Sequence, residues 1–259
     1  MRVLVGTSGY AYKEWKPSFY PEDLPSAAML RYYAQRLKTV EVNNTFYRMP
    51  SKKVLQGWSA EVPDHFCFAL KASRRITHFK RLRDVGSELD FLFGNLAVLG
   101  PRLGPVLFQL PPDSRKDVAR LRDFLAQLPP GRHALEFRHP SWSDAETHDA
   151  LRENGVALCV TEEEDVGEGE GAREGEGGGE SGGESRGERG GTAGAAGGIL
   201  TATAKFGYLR LRRDAYTERD LRAWVERIRA QPWEEVFVYF KHETAAPNVA
   251  LAFERLLDA

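Results

Sequence analysis

The sequence predicts an α/β protein built as a TIM-type (β/α)8 barrel, and three observations carry that reading. Eight short apolar runs of strand length are spread along the chain, stretches with helical apolar spacing separate nearly all of them, and the runs end repeatedly in charged or amide side chains. Parallel strands need a crossover and a helix supplies it, so the alternation favours a parallel sheet. At 259 residues the chain is also close to the length typical of such a barrel. A doubly wound open sheet is the alternative, but Gly6-Thr7-Ser8-Gly9 lacks the G-x-G-x-x-G spacing of a dinucleotide fold.

The strands are read at 3–7, 39–43, 66–71, 105–109, 133–138, 156–160, 206–211 and 236–241. Apolar residues at helical spacing lie between them: Met29, Leu30, Tyr33, Ala34 and Leu37; Val118, Leu121, Leu125 and Leu128; Leu221, Trp224, Val225 and Ile228; Val249, Ala252, Phe253, Leu256 and Leu257. Weaker stripes occur at Val54, Leu55 and Trp58, at Leu89, Leu92, Phe93, Leu96 and Leu99, and over 144–153.

One stretch, 162–198, follows neither period. It holds 15 of the chain's 25 glycines and 11 acidic residues against 3 arginines, with Val166 as its one branched aliphatic. Such a composition buries too little apolar surface to offset its ordering entropy, so it is expected to be a disordered insertion within a single domain spanning 1–259. It occupies the sixth crossover, where the barrel should be irregular or short of a helix. The whole chain carries 36 basic and 37 acidic side chains, for −1, so the remainder without this stretch stands at +7. A mildly basic body attracts anionic partners.

With 42% hydrophobic residues the chain can bury a substantial core. No apolar run reaches the length of a membrane span and no signal-type core opens the chain, so a cytoplasmic protein without membrane association is expected. Cys67 and Cys159 lie in predicted strands without a C-x-x-C pair, and are expected as buried packing residues.

Residues i and i+2 of a strand share a face. Val40 and Val42 therefore turn outward to the helices while Glu41 and Asn43 turn inward, and Glu136 and Arg138 share a face opposite Phe137. Lys71, Gln109, Arg210 and Lys241 end their runs on the same inward side. A buried carboxylate is costly unless paired or used, and barrel active sites are built at the C-terminal ends of strands. That favours a functional Glu41 over a structural ion pair with Lys71 or Arg138. Lys71 fits a base, a Schiff-base nucleophile or an anion clamp, the clamp being simplest. His78 fits a proton shuttle or an ordinary loop hydrogen bond, Gln109 an amide that orients a polar ligand, and Thr7 with Ser8 an anion contact after the first strand.

The motifs G-T-S-G-Y from Gly6, E-V-N-N-T-F-Y-R-M-P from Glu41, F-A-L-K ending at Lys71 with Thr77-His78 beyond it, G-P-V-L-F-Q-L-P-P from Gly104, E-F-R-H-P-S-W from Glu136, and V-Y-F from Val238 with Pro247-Asn248 occur in order. Together they resemble the YecE-like family, the domain-of-unknown-function family numbered seventy-two. The resemblance covers almost everything outside the glycine-rich stretch and implies a TIM-type barrel, with no established activity, substrate or cofactor. It marks Glu41, Asn43, Phe46, Tyr47, Lys71, Thr77, His78, Gln109, Pro111, Glu136, Arg138, Trp142, Tyr208, Arg210 and Asn248. The chain departs from the family pattern in three places. Arg210-Leu211-Arg212-Arg213 stands where Arg-x-His-Gly is usual, Glu162 lies near a usual aspartate, and Lys241 replaces a usual asparagine.

The reading that follows is an enzyme performing acid–base chemistry, of hydrolase or lyase type, on a small anionic or sugar-phosphate-like molecule. Lys71, Arg138 and Arg210 would hold the anion. Glu41 and Glu136 would donate and accept protons, with Lys71 and His78 beside them. Tyr10, Tyr47 and Trp142 would wall the substrate, and Thr7, Asn43, Gln109, Tyr208, Lys241 and Asn248 would complete the binding set. Two carboxylates on separate strands also suit glycosidic chemistry. The alternatives are a metal-dependent phosphoesterase or nuclease using Glu41, Glu136, His78 and His139, and a barrel that binds an anion without catalysis. No cofactor is required by the sequence, although a divalent metal is compatible with it. No metal ligands are assigned, because no H-x-H or H-x-x-x-H spacing occurs. Nucleic acid as a partner has no supporting motif, and the oligomeric state is open.

Overall fold

A computed structural model describes residues 1–162 and 200–258. Its eight strands, β1 (Arg2–Ser8), β2 (Thr39–Val42), β3 (Cys67–Lys71), β4 (Leu103–Gln109), β5 (His133–Glu136), β6 (Ala157–Glu162), β7 (Phe206–Leu211) and β8 (Glu235–Phe240), form a closed barrel in sequence order. β1 pairs in parallel with both β2 and β8, so the sheet has no edge. Helices α1 (Met29–Ala34), α2 (Lys52–Glu61), α3 (Gly86–Leu96), α4 (Val118–Leu125), α5 (Ala145–Glu153) and α6 (Glu218–Arg229) occupy crossovers, and α7 (Ala246–Leu257) follows β8. The fold is the TIM-type barrel expected from the alternation of strand and helix.

Local chemistry sets where the helices begin. Asp117, Asp144 and Thr217 accept hydrogen bonds from the backbone N–H groups of Arg120, Thr147 and Asp220 at the starts of α4, α5 and α6. At α6 the Asp220 carboxylate also accepts from the Thr217 backbone N–H, which completes a capping box. Barrel closure needs glycine at two close approaches. A Cβ on Gly6 would sit 2.0 Å from the Thr39 carbonyl oxygen, and one on Gly207 would sit 2.7 Å from the Trp233 ring.

Alternation divides the core into two layers. Val40, Val42, Phe68, Leu70, Val106, Phe108, Leu135, Leu209, Val236 and Val238 pack outward against the helices. Leu4, Cys67, Ala69, Leu107, Ala134, Ala157, Phe206, Tyr208, Phe237 and Tyr239 fill the barrel itself. Above this apolar plug, toward the strands' C-terminal ends, the inward positions become charged.

Several expectations shift in detail. Asn43, Arg138 and Lys241 lie just beyond their strands rather than within them. Among the described residues no helix separates β6 from β7. Instead Thr203 accepts from the Leu158 backbone N–H and donates to the Val156 carbonyl, each at 2.7 Å, which stitches the segment to the foot of β6. The expected α2 stripe is narrower, with Leu55 buried and Val54 45% exposed. The insertion expected at 162–198 lies outside the described residues except for Glu162, which ends β6 and accepts hydrogen bonds from Tyr216 and Trp224. Cys67 and Cys159 are both free and buried. Among the described residues no helix is long and apolar enough to cross a membrane.

Candidate functional site

Glu41 from β2, Glu136 from β5 and Arg210 from β7 meet at the C-terminal end of the barrel interior, all essentially buried. The guanidinium lies between the two carboxylates, with Nη2 donating to Glu41 Oε1 at 2.9 Å and Nη1 to Glu136 Oε2 at 2.6 Å. Ser8 Oγ donates to Glu41 Oε1 at 2.6 Å, Tyr208 OH to Glu41 Oε2 at 2.7 Å, and Asn43 Nδ2 to Oε1 at 3.2 Å. On the other side Gln109 Nε2 donates to Glu136 Oε1 at 2.8 Å, with Arg138 Nε behind it at 3.4 Å. The Arg210 Nε is buried without a partner among the described residues.

These contacts fix the protonation states. Burial alone would raise both carboxyl pKa values, but Arg210 reverses this at each. Ser8 and Tyr208 assist at Glu41, and Arg212 and Arg138 at Glu136, so both are held well below the ordinary carboxylate range. Two carboxylates that stay ionised cannot supply the proton donor expected of them at neutral pH. The space between them, which a glycosidic oxygen would need, is filled by the guanidinium. Glycosidic chemistry is therefore not what this arrangement suits.

Lys71, the last residue of β3, stands beside this network. Its Nζ lies 4.2 Å from the centroid of the Phe46 ring, and His78 packs edge-on against the same ring with centroids 4.8 Å apart. The amine makes no hydrogen bond or ion pair among the described residues. Burial and then the nearby Arg210 draw its pKa down to about 8, against weaker opposition from Glu136 and Glu41. Among the described residues the two carboxylates thus face four cations within electrostatic reach: Lys71, Arg138, Arg210 and Arg212.

The remaining candidates divide by what they touch. Gln109 and Tyr208 orient the carboxylates instead of presenting polar groups to a ligand. Arg210 gives both of its terminal nitrogens to those carboxylates, so it anchors the network and is not an open clamp. Thr7 faces outward, where it shares hydrogen bonds with Tyr33 of α1, and the inward contact belongs to Ser8. Tyr10 packs against Tyr33 with 6.3 Å between ring centroids. Trp142 is 2% exposed, stacks on Phe137 and donates to the Ser114 carbonyl, so it braces the loop after β5 and does not wall a substrate.

Tyr47 is 69% exposed on the rim, with the Arg74 guanidinium 5.6 Å from its ring centroid. Lys241 and Asn248 are exposed after β8 and on the first turn of α7. His78 pairs with Thr77 Oγ1 at 2.8 Å, while His139 turns Nδ1 to Ser141 and caps its backbone N–H. The donor set Glu41, Glu136, His78 and His139 does not converge. Among the described residues no group of three or more His, Cys, Asp or Glu side chains could hold a metal ion.

Sequence reasoning missed two neighbours of the network. Cys159 is one, with Sγ 3.8 Å from Glu136 Oε2 and its thiol pKa pushed well up, first by burial and then by that carboxylate. The other is Tyr12, whose hydroxyl donates to the Ser8 carbonyl at 3.0 Å and feels the charge of Glu41. Parity from Tyr208 and Arg210 would also have pointed to Arg212.

Residues 4–259 match the family described as protein of unknown function DUF72. The chain belongs to this family. UPF0759 protein YunF of Bacillus subtilis (strain 168) is 29% identical over 180 residues, a region that spans 64% of this chain and 63% of YunF. The crystal structure of the DUF72 family protein TM1631 of Thermotoga maritima MSB8 superimposes over the full length of both chains with a TM-score of 0.78 at 24% identity. That of the DUF72 family protein EF0366 of Enterococcus faecalis V583 covers 99% of this chain and 96% of its own, with a TM-score of 0.76 at 17% identity. At these identities the two structures speak for the fold alone. The resemblance read from the motifs thus holds at the level of the DUF72 and UPF0759 proteins, coarser than the YecE-like label. In this DUF72 chain Arg212 adds a cation that both buried carboxylates feel.

Proposed function

We propose that the barrel mouth binds a small anionic molecule, of sugar-phosphate or carboxylate type, and carries out acid–base chemistry of lyase or hydrolase type on it. The observation that carries the reading is the half-buried Lys71 amine at the mouth, which makes no hydrogen bond or ion pair among the described residues while Arg210 holds both carboxylates. Partial burial strengthens the field of such a cation, and an anion is the ligand it attracts.

The division of labour follows from protonation. Glu41 and Glu136 act as fixed charges that hold Arg210. Lys71, with a pKa near the operating range, is the group that exchanges a proton. His78, sharing the Phe46 wall, stands next to it. Asn43 and Arg138, which lie beyond the strand ends and reach the carboxylates from there, would touch a ligand above them.

The reading is tested by thermal unfolding with phosphate, sulfate and a phosphorylated sugar, set against neutral sugars at matched ionic strength. Binding to the native state alone should raise the midpoint with the anions, by about 2.7 kcal/mol equivalent at a hundredfold excess over Kd. Arg138→Met should weaken that effect. Stabilisation by neutral sugars with none by any anion would show the reading wrong.

A further inference from the structure

Resting on the reading above, we propose that the Lys71 amine forms a Schiff base with the carbonyl carbon of an anionic aldehyde or ketone held in the barrel mouth, a 2-oxo acid or a phosphorylated carbonyl compound. A lysine that serves only as an ion-pair partner or clamp is itself held by a carboxylate, yet here the two nearby carboxylates are taken by Arg210. Lys71 is left with the face of Phe46 as its neighbour and with no acceptor among the described residues.

Two features make such an amine a nucleophile: burial that desolvates it, and a neighbouring cation that opposes its protonation. Both act at Lys71, burial first and then Arg210, while the face of Phe46 holds Nζ in position. The residue is only half-buried and ends its strand at the mouth, so a ligand can reach Nζ. The same positive field that draws off the amine's proton attracts the carboxylate or phosphate of the carbonyl compound.

The step balances without any oxidant or reductant. The neutral Nζ attacks the carbonyl carbon, a C–N bond forms, and the C=O π pair passes to oxygen, which takes up the proton released by nitrogen. The carbinolamine then expels its hydroxyl as water, taking back from solvent the proton that the lysine ammonium had released, and leaves the protonated imine. The imine carries the single positive charge that the lysine ammonium carried, so Glu41 and Glu136 face the same charge before and after. An electron-withdrawing imine is what a lyase-type reaction needs to cleave or deprotonate at the adjacent carbon.

The experiment is reductive trapping near neutral pH. The protein is incubated with cyanoborohydride and, separately, pyruvate, glyoxylate, dihydroxyacetone phosphate or uncharged glycolaldehyde, and adducts are mapped by intact-mass and peptide mass spectrometry. The expected result is one dominant adduct at Lys71, formed roughly tenfold or more faster than at surface lysines, whose amines become neutral only near pH 10.4, and faster with the acids than with glycolaldehyde. Lys71→Met should remove the dominant adduct, and Lys71→Arg should do so while keeping the charge. Should either variant misfold, mapping on the unaltered protein decides alone.

Labelling spread evenly over the lysines overturns the proposal. Anion stabilisation without preferential trapping at Lys71 overturns the covalent step and leaves the anion reading standing. Preferential trapping at Lys71 by glycolaldehyde as readily as by the acids, with no anion stabilisation, upholds the amine and overturns the anion reading.

Discussion

Lys71 and Glu136 stand near each other, yet they relate to stability with opposite signs. Every oxygen of Glu136 is engaged, and its charge is favoured by the fold. The ammonium of Lys71 is disfavoured, first by burial and then by Arg210, with its pKa drawn to about 8 from 10.5. Between these two pH values the folded protein binds fewer protons than the unfolded chain, so stability rises with pH through that window and the charged amine is a burden below it. Lys71→Met is therefore expected to stabilise the protein at neutral pH, by on the order of 1–2 kcal/mol once the shift is discounted for a side chain still partly in water. The gain should shrink as the pH rises from about 8 and be lost above about 10.5, where the unaltered lysine becomes neutral in both states. Urea denaturation of both proteins at the two pH values checks it. Loss of stability at neutral pH would mean that the contact with the Phe46 face and the field of Glu136 and Glu41 outweigh the cost of burying the ammonium. A residue retained at a cost to stability is what a working group looks like.

At the scale of the elements, glycine marks the places where the barrel is tightest. Gly207 lies in β7 beneath Trp233, whose ring carbons would be 2.7 Å from an added Cβ, and Trp233 is itself buried. Gly207→Ala should cost about 1–3 kcal/mol by overpacking, read as a lower denaturant midpoint, and an unchanged midpoint would mean that the indole moves aside freely. The strand–helix alternation, the helix faces and the inward direction of Glu41, Lys71, Gln109, Glu136 and Arg210 were all legible in the sequence. The reason is that one face of each of these strand ends carries polar groups while the other packs on helices. The face of β1 was not legible, because a parallel strand buried on both sides shows no alternation. Thr7 and Ser8 looked equivalent, yet only Ser8 reaches Glu41. Trp142 looked like a site aromatic for a similar reason: a loop tryptophan that braces its own turn has the same local sequence as one that faces a ligand. The pairing of Arg210 with Glu41 and Glu136 crosses 169 and 74 positions of chain, and no local pattern announces it.

Across the whole molecule, the Glu41–Arg210–Glu136 link ties together strands that are not neighbours in the sheet. β2 and β7 are separated by β1 and β8, and β5 and β7 by β6. The hydrogen-bond ladder closes the barrel around its wall, and this link spans its interior at the mouth, so its charge state should be felt by global stability. Because the folded pKa of each carboxyl lies below the ordinary 4.5, their contribution is fully present above that pH and is lost as the pH falls toward about 2. Arg210→Met should invert this behaviour. Two buried carboxylates stripped of their guanidinium have raised pKa values, so the folded variant binds more protons than its unfolded chain above pH 4.5 and loses stability as the pH rises toward neutrality. Leaving those charges stranded costs about 3–5 kcal/mol at neutral pH. Denaturant midpoints for both proteins at about pH 5 and at neutral pH should show a flat or rising profile for the unaltered chain and a falling one for the variant. If the two profiles run parallel, Arg138, Arg212 and Lys71 are sufficient to keep the carboxylates ionised without Arg210, and the tie is held by the cation cluster rather than by the single arginine.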